Sequence, residues 1–169
     1  MQYYHDGKDV LVLAKTNIAV DNVLEKLIAE NVRALRTGNN IETKSDLPYA
    51  YTVSTSNPTY ISLLEGKNSI VLGTPFGYYQ DRNISKDHFD ILIIDEASQM
   101  DVPETLFSLQ FSDKCVIIGD HMQIPPFPIQ NEILLDHNPQ IDLSTREELQ
   151  KSMFEDLITD MNRYNSVFL

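Results

Sequence analysis

The sequence predicts a doubly wound α/β fold, in which helices cover both faces of a mostly parallel sheet, and two observations favour it. Four short runs rich in valine and isoleucine are almost continuously apolar, and they span residues 10–14, 69–73, 90–95 and 115–119. Such runs are typical of strands buried on both faces. Segments with helical spacing of apolar residues separate the runs, as in a chain that alternates strand and helix. Ligands of this fold bind at the carboxyl ends of the strands, so functional side chains are expected there.

Three helices are predicted around these strands. The first spans residues 17–31, where apolar side chains recur three and four positions apart. The second spans residues 103–109 and has a proline in its first turn, a position that proline favours. The third spans residues 146–162, opened by Ser144 with Glu147 three residues later as a capping box.

Two segments are predicted to be loops or short turns. Residues 37–57 contain the breaks Gly-Asn-Asn and Leu-Pro, and residues 125–142 hold four of the eight prolines. No internal repeat, low-complexity tract or linker divides the chain. Residues 1–169 are therefore expected to belong to one domain.

Composition excludes several classes of protein. The 42% of hydrophobic residues suffices for one core, but no apolar stretch reaches the roughly 18 residues that span a bilayer, so no membrane partner is expected. The first residues lack the features of a secretory signal, and an intracellular protein is expected. The formal net charge of −12 opposes binding to a phosphate backbone. Four scattered histidines make a zinc site improbable, and the single Cys115 is expected to be a small buried hydrophobe.

The strongest functional signal is FDILIIDEASQ, an apolar strand that delivers Asp95 and Glu96 at its carboxyl end. In a nucleotide hydrolase the first such acid holds magnesium, and the second takes a proton from the attacking water. Alternating side-chain directions suit this division, because consecutive strand residues point differently. Asp95 or Ser98 as the N-cap of the next element explains the same residues equally well.

A second signal is VIIGDHMQIPPF, again an apolar strand followed by a polar turn. Gly119 would permit a sharp exit from the strand, and the amide of Gln123 can reach a γ-phosphate oxygen or the attacking water. Taken alone, this segment is more simply a tight turn with an exposed glutamine.

A third signal is VLVLAKTNIAVDNVLEKL, which predicts strand, short turn and helix. Thr16 and Asn17 lie at the predicted helix N-terminus, where side-chain and free backbone donors suit a phosphate group of a nucleic-acid backbone. Simple capping of the helix is the structural alternative, and by itself it is favoured.

A fourth signal is IVLGTPFGYY, in which Gly73, Thr74 and Gly77 form a turn of small residues that can lie against a nucleic-acid strand. Tyr78 and Tyr79 could stack on bases. Partly buried packing residues are the commoner role of such tyrosines.

The four segments, in this order, resemble superfamily 1 helicases, specifically the branch of the Upf, Senataxin and Dna2/NAM7-like enzymes. LAKTNIAVDNVLEKL is similar to motif Ia of that family, VLGTPFGYY to motif Ic, ILIIDEASQ to motif II, which carries the Walker B acids, and IIGDHMQIPPF to motif III. They cover residues 10–127, most of the chain. The resemblance implies the first RecA-like motor domain of an enzyme that uses ATP and magnesium to move along single-stranded DNA or RNA, in the 5′ to 3′ direction.

Specific roles follow from this resemblance. Asp95 is implied to coordinate magnesium, and Glu96 to activate water. Gln123 is implied to couple the γ-phosphate to movement. The resemblance also implies contacts with phosphate and sugar of the strand from Thr16, Asn17 and Thr74.

One departure from the family is large. No GxxxxGK[ST] phosphate-binding loop occurs in the chain, and neither does the second motor domain. The expectation is a partial motor domain over residues 1–169 that is inactive alone. The alternative is a catalytically dead remnant that binds nucleic acid or serves regulation, which the acidic charge favours.

The missing segment also leads to an expectation about the sheet. In the family layout, the strand before the phosphate loop lies beside the strand that ends in motif III. Residues 116–119 are therefore expected to have one unpaired apolar edge. The chain is expected either to self-associate there or to fold residues 1–8 into the vacancy.

Overall fold

The structure is a computed structural model that describes residues 5–32, 34–37, 69–80, 88–120, 122, 148 and 151–161. Its strands are β1 (Val10–Ala14), β2 (Leu35–Arg36), β3 (Ile70–Gly73), β4 (Ile91–Asp95) and β5 (Cys115–Ile117). Its helices are α1 (Asn17–Ala29), α2 (Pro75–Gln80), α3 (Val102–Leu109) and α4 (Met153–Met161), with a 3₁₀ turn at Ala97–Gln99. None of the helices in these ranges is long and apolar enough to cross a bilayer.

The five strands form one sheet in the order β2-β3-β1-β4-β5, and every neighbouring pair is parallel. Side chains alternate between its two faces, and each face has its own core. On one face α1 covers the sheet through Ala19, Val20 and Leu24. On the other face Tyr78 of α2 and Phe154 of α4 cover it. The predicted parallel α/β sheet with helices on both faces is confirmed.

Three of the four predicted strands are buried as expected, and the fourth is not. β1 and β3 are fully buried and β4 largely so, whereas two of the three β5 residues are exposed. The prediction that Cys115 is buried is wrong, because β5 pairs only with β4 among the described strands and forms the edge of the sheet. Neighbouring atoms still partly desolvate its thiol, and this burial raises the pKa of Cys115 to about 11.

The expected apolar edge is present in the described sheet. β5 pairs with β4 on one side and with no described strand on the other, and Val116 and Ile118, at alternate positions, are 43% and 46% exposed. Residues 5–8 do not fill this edge, since Lys8 contacts Asp90 at the start of β4, with Nζ to Oδ1 at 3.2 Å. Residues 1–4 of the proposed filling segment lie outside the described residues.

Two of the predicted helices are confirmed, with small differences at their ends. α1 ends at Ala29, and Asn31 in the left-handed region (φ 58°) turns the chain away. α3 begins one residue earlier than predicted because Asp101 caps it: its carboxylate accepts the backbone N–H of Glu104 at 2.8 Å, and Glu104 reaches back to the Asp101 N–H.

The third predicted helix is interrupted rather than continuous. Glu148 is helical, as predicted, but Lys151 lies in a bend and Ser152 forms a bridge with Asp101, so α4 begins at Met153. The hydroxyl of Ser152 also donates to the Ala97 carbonyl at 3.3 Å. These tertiary contacts override the local helical pattern. Ser144 and Glu147, the predicted capping box, lie outside the described residues.

Two elements were not expected from the sequence. β2 is a two-residue strand that extends the sheet beyond β3, and α2 follows β3 where only a turn was predicted. Of the segments predicted to be irregular, only Thr37 is described, and it follows β2 directly. The remainder of 37–57 and all of 125–142 lie outside the described residues, so these predictions are untested.

Candidate nucleotide and nucleic-acid site

Three of the predicted functional segments meet at the carboxyl edge of the sheet. Ala14 of β1 pairs with Asp95 of β4, and Leu13 pairs with Gly73 of β3. Parallel strands end at the same edge, so the residues that follow these positions are neighbours in space. The sheet thereby brings together the sequence-predicted residues Thr16, Asn17, Thr74, Asp95 and Glu96.

Asp95 is the last residue of β4 and is half-buried. Its Oδ1 accepts the backbone N–H of Glu96 at 3.0 Å, an interaction that fixes the carboxylate beside the strand end. No described lysine, arginine or histidine forms an ion pair with Asp95 or Glu96. A carboxylate without a cationic partner at this edge fits a magnesium ligand, because Mg²⁺ binds one or two carboxylates and completes its shell with water and phosphate oxygens.

Glu96 has left-handed backbone dihedrals, φ 54° and ψ 36°. A non-glycine residue in this region is strained by roughly 1–3 kcal/mol and stays there only if its surroundings hold it. Here Ala97 N–H donates to the Ile118 carbonyl at 2.9 Å, and Gln99 N–H donates to the Glu96 carbonyl at 3.0 Å. The turn after β4 is thus bonded to the end of β5, and it points the Glu96 side chain away from the direction that a continued strand would give.

The capping alternative for this segment is not observed. The 3₁₀ turn begins after Glu96 without a side-chain cap, and α3 is capped by Asp101 rather than by Asp95. The hydroxyl of Ser98 is buried and has no hydrogen-bond partner among the described residues. Neither Asp95 nor Ser98 therefore acts as a helix N-cap.

Thr16 connects the acidic turn with α1. Its Oγ1 accepts the Ala19 backbone N–H at 3.2 Å as the N-cap of the helix, and it lies 3.5 Å from Oε2 of Glu96 in donor geometry. The capping alternative is therefore observed for Thr16. Thr16 and Asn17 are nevertheless exposed, so their polar groups are accessible to a ligand.

Thr74 has the same local role at the end of β3. Its Oγ1 accepts the Gly77 N–H at 3.0 Å, and its carbonyl accepts the Tyr78 N–H at 2.8 Å, so it begins α2. A threonine at the start of a helix thus follows two strands of this edge, β1 and β3. Each leaves a helix N-terminus near the predicted path of the nucleic-acid strand.

The two tyrosines of this segment differ. Tyr78 is buried and packs edge-on against Phe89 and Phe111, at ring-centroid distances of 6.2 and 4.9 Å. The prediction that Tyr78 stacks on bases is therefore wrong, since its ring belongs to the core. Tyr79 is 66% exposed and contacts Phe107 at 4.8 Å, so its outer ring surface is available.

The segment after β5 is described only in part. Gln123 lies outside the described residues, and its predicted contact with nucleotide is untested. Gly119 was predicted to allow a sharp turn, but its φ is not in the left-handed region. A side chain there would require another change: a Cβ at Gly119 would lie 2.8 Å from Cε1 of Phe154, so the ring would have to shift.

Two cations near this edge did not stand out in the sequence. Lys15 directly follows β1 and forms an ion pair with Glu104 of α3 at 2.5 Å. Arg36 ends β2 and is almost fully buried, with its Nε 2.6 Å from Oδ1 of Asp21. In the sequence, the only feature that could have indicated a role for Lys15 and Arg36 is that each lies at the polar end of an apolar run.

Comparisons with known proteins identify the family. A family model described as an AAA domain matches residues 49–131. The DNA replication ATP-dependent helicase/nuclease DNA2 of Saccharomyces cerevisiae is 33% identical over 126 residues, which is 72% of this chain and 8% of the yeast protein. DNA2 of Mus musculus is 33% identical over 132 residues, 75% of this chain and 12% of its own length. JHS1 of Arabidopsis thaliana, which has the same descriptive name, is 32% identical over 123 residues, 71% of this chain and 9% of its own length.

The chain spans 8% to 12% of the length of these three relatives. Residues 49–131, which the family model matches, include β3, β4, β5 and the acidic turn after β4. With the ordered motif segments and the parallel α/β sheet, these relatives show that the chain belongs to the Dna2-like branch of the superfamily 1 helicases.

Proposed function

We propose that residues 1–169 are part of the first RecA-like motor domain of an ATP-dependent helicase, which couples Mg-ATP hydrolysis to movement along single-stranded nucleic acid. The observation that supports this best is the 3.5 Å approach of Thr16 Oγ1 to Glu96 Oε2. It joins a residue proposed to contact the strand with a residue proposed to activate water. Such proximity gives strand binding and hydrolysis a direct route by which each can influence the other, as a motor requires.

On the nucleotide side, Asp95 would hold magnesium and Glu96 would accept a proton from the attacking water. Magnesium supplies charge neutralisation at the phosphates when it is bound. The bond from Glu96 N–H to Asp95 Oδ1 holds the two acids in a fixed relation. Gln123 is proposed to report the γ-phosphate, on the strength of the family resemblance alone.

On the strand side, Asn17 and Thr74 would donate to phosphate and sugar oxygens, and Thr16 would do so when its single hydroxyl proton turns from Glu96 to the strand. The exposed first turn of α1 supports this proposal, as does the matching helix start after β3. Backbone contacts carry no base information, so affinity should depend little on sequence. The relatives are named DNA replication enzymes, which favours DNA over RNA as the substrate. Movement in the 5′ to 3′ direction is proposed from the family branch.

Alone, the 169-residue chain is proposed to bind ATP weakly and to hydrolyse it negligibly. Positioning and charge stabilisation of the phosphates supply most of the catalysis in phosphoryl transfer, and the sequence contains no phosphate-binding loop to supply them. Turnover at about 1 per second or faster, lost in Glu96→Gln, would contradict this proposal.

A catalytically dead nucleic-acid-binding or regulatory remnant is the second candidate function. The net charge of −12 favours it, because a strongly acidic surface opposes strand capture. The exposed edge of β5 also supports self-association of the chain. For either function, an intracellular location is proposed.

Fluorescence anisotropy with a labelled single-stranded oligothymidylate, read at several salt concentrations, tests the strand contact. Wild-type chain should bind, and Thr74→Val should weaken binding, because valine keeps the shape of threonine without its hydroxyl. Ser112→Ala, at a buried serine remote from this edge, is the control and should bind like wild type. Absence of wild-type binding at low salt would contradict the proposed strand interface.

A further inference from the structure

Arg36 is buried beneath the proposed strand interface and makes three hydrogen bonds. Its Nε donates to Asp21 Oδ1 at 2.6 Å, its Nη2 to Asn17 Oδ1 at 3.0 Å, and its Nη1 to the Thr37 carbonyl at 2.9 Å. Arg36 is 3% exposed, so it cannot itself reach a nucleic acid across the surface. Any effect on binding must pass through its neighbours.

The first of these neighbours is Asn17, whose amide can take two orientations. A guanidinium group has donors only, so it accepts no hydrogen bond from an amide nitrogen. The Asn17 oxygen must therefore face Arg36, and the NH₂ group must face away from it. Asn17 is exposed, and no described residue accepts a hydrogen bond from that NH₂ group. Arg36 thus makes Asn17 present two donors outward, beside Thr16.

The second neighbour leads to the other proposed strand contact. Thr37 donates to the Leu72 carbonyl from both its backbone N–H, at 2.7 Å, and its Oγ1, at 3.1 Å. The next residue along β3 is packed against the same side chain, since a Cβ on Gly73 would collide with Thr37 Oγ1. Through Thr37, Arg36 is therefore connected to the strand end that precedes Thr74.

We propose that Arg36 is a positioning residue for strand binding, which orients the Asn17 amide donors toward a backbone phosphate and holds the start of α1 in register with the end of β3. This inference rests on the proposed function, because it requires that Asn17 contacts the strand. A buried arginine that only fixed α1 to the sheet would stabilise the fold without setting the direction of the amide.

A double-mutant cycle in the 169-residue chain separates these two roles. Asn17→Ala and Arg36→Met should each weaken oligothymidylate binding about 10-fold or more, the scale of one hydrogen bond to a charged group. The double variant should bind no more weakly than the weaker single variant, because Arg36 would act through Asn17. Asn17→Asp keeps an acceptor for Arg36 but has no donor, so it should lose at least as much affinity as Asn17→Ala.

Controls cover the folding role of Arg36. Arg36→Met leaves the carboxylate of Asp21 without its partner, so Arg36→Lys is the second variant; it keeps the charge but cannot serve three acceptors. It should remain folded by circular dichroism and still bind at least about threefold more weakly. Asp21→Asn keeps an oxygen for Nε of Arg36 and should bind like wild type.

A side-chain readout completes the test. In ¹⁵N-resolved NMR spectra, the Asn17 NH₂ signals should shift when oligothymidylate is added to wild-type chain, and should not shift in folded Arg36→Lys. Wild-type affinity in both Arg36 variants, or fully additive losses in the cycle, would overturn the inference while leaving the proposed function intact. A wild-type chain that binds no oligothymidylate would overturn the proposed strand contact, and this inference with it.

Discussion

Glu96 has a strained backbone conformation, although its side chain has no evident role in stabilising the fold. Its left-handed backbone is strained, yet its side chain lies in no core cluster and caps no helix. Two backbone bonds, at Ala97 and Gln99, keep it in that conformation. Strain held in place by the surrounding fold is typical of functional positions, and this supports the role proposed for Glu96.

The first prediction concerns this residue in a protein that carries these motifs together with a phosphate-binding loop. Glu96→Gln should leave ATP binding in place and reduce steady-state hydrolysis about 100-fold or more, the scale of a lost general base. Gln keeps the shape of the side chain but takes no proton. Asp95→Ala should instead weaken Mg-nucleotide binding. The exposed Glu30 at the end of α1 offers an isosteric control, and Glu30→Gln should have normal turnover. Near wild-type turnover in Glu96→Gln would refute the assigned role.

The second prediction concerns the thiol of Cys115. Burial raises its pKa to about 11, so the folded chain keeps it protonated through neutral and mildly alkaline pH. Its alkylation rate by iodoacetamide should still be rising at pH 10. In urea the same thiol should level off near its ordinary pKa of about 8.5. Because the folded pKa is the higher one, the linked stability is complete below about pH 8.5 and is lost as the pH rises toward 11. A plateau near pH 9 in the folded chain is the contrary outcome.

At the scale of elements, the local sequence is the least reliable guide to whether a short segment forms a helix. The six residues of α2 include a glycine and two tyrosines, which are indifferent helix formers, so its sequence predicts a turn. Thr74 and the packing of Tyr78 in the core nevertheless make it helical. The opposite error occurred before α4, where a helical pattern is interrupted at Ser152 by its bridge to Asp101. In both cases a contact distant in sequence, made by Tyr78 in the core or by Ser152 with Asp101, contributes to the local structure.

The start of α3 provides a prediction at this scale. Asp101 caps the helix, and Glu104 joins the same first turn to Lys15 at the end of β1. Asp101→Ala should lower the free energy of unfolding by about 1 kcal/mol, as for other lost N-caps. The control is Asp113→Ala, because that carboxylate is 94% exposed and its only described ion pair is a 3.6 Å contact with His88. Urea unfolding should show a lower midpoint with unchanged slope for Asp101→Ala alone. Equal midpoints for the two variants would contradict the capping role.

At the scale of the whole molecule, the sequence was sufficient for the four longer strands, for two of the helices and for the acidic edge, but not for β2 and α2. Continuous apolar runs specify β1, β3 and β4 because both faces of those strands are covered. The same pattern failed for the burial of β5, since a residue pattern does not say which strand lies at the edge. Arg36 was missed for a related reason: its partners Asn17 and Asp21 lie 19 and 15 residues away in sequence, so only the assembled sheet shows its position.

The last prediction concerns the exposed edge of β5. Val116 and Ile118 present apolar side chains there, and no described strand pairs with its outer side. An uncovered apolar strand edge is a template for pairing with another chain, and a parallel strand also expects cover on both faces. The average mass from light scattering should therefore rise with protein concentration. Val116→Lys should reduce the association, because a charge on an edge strand opposes pairing.

A matched control identifies the surface responsible. Leu106 of α3 is 53% exposed but lies away from the sheet edge, so Leu106→Lys adds the same charge to a different apolar surface. It should leave the concentration dependence unchanged. If Leu106→Lys suppresses association and Val116→Lys does not, the chains meet through the helical face rather than by strand pairing. A wild-type chain that stays monomeric at every concentration would show that the β5 edge does not mediate association. Repulsion between chains that each have a net charge of −12 would then outweigh the apolar contact.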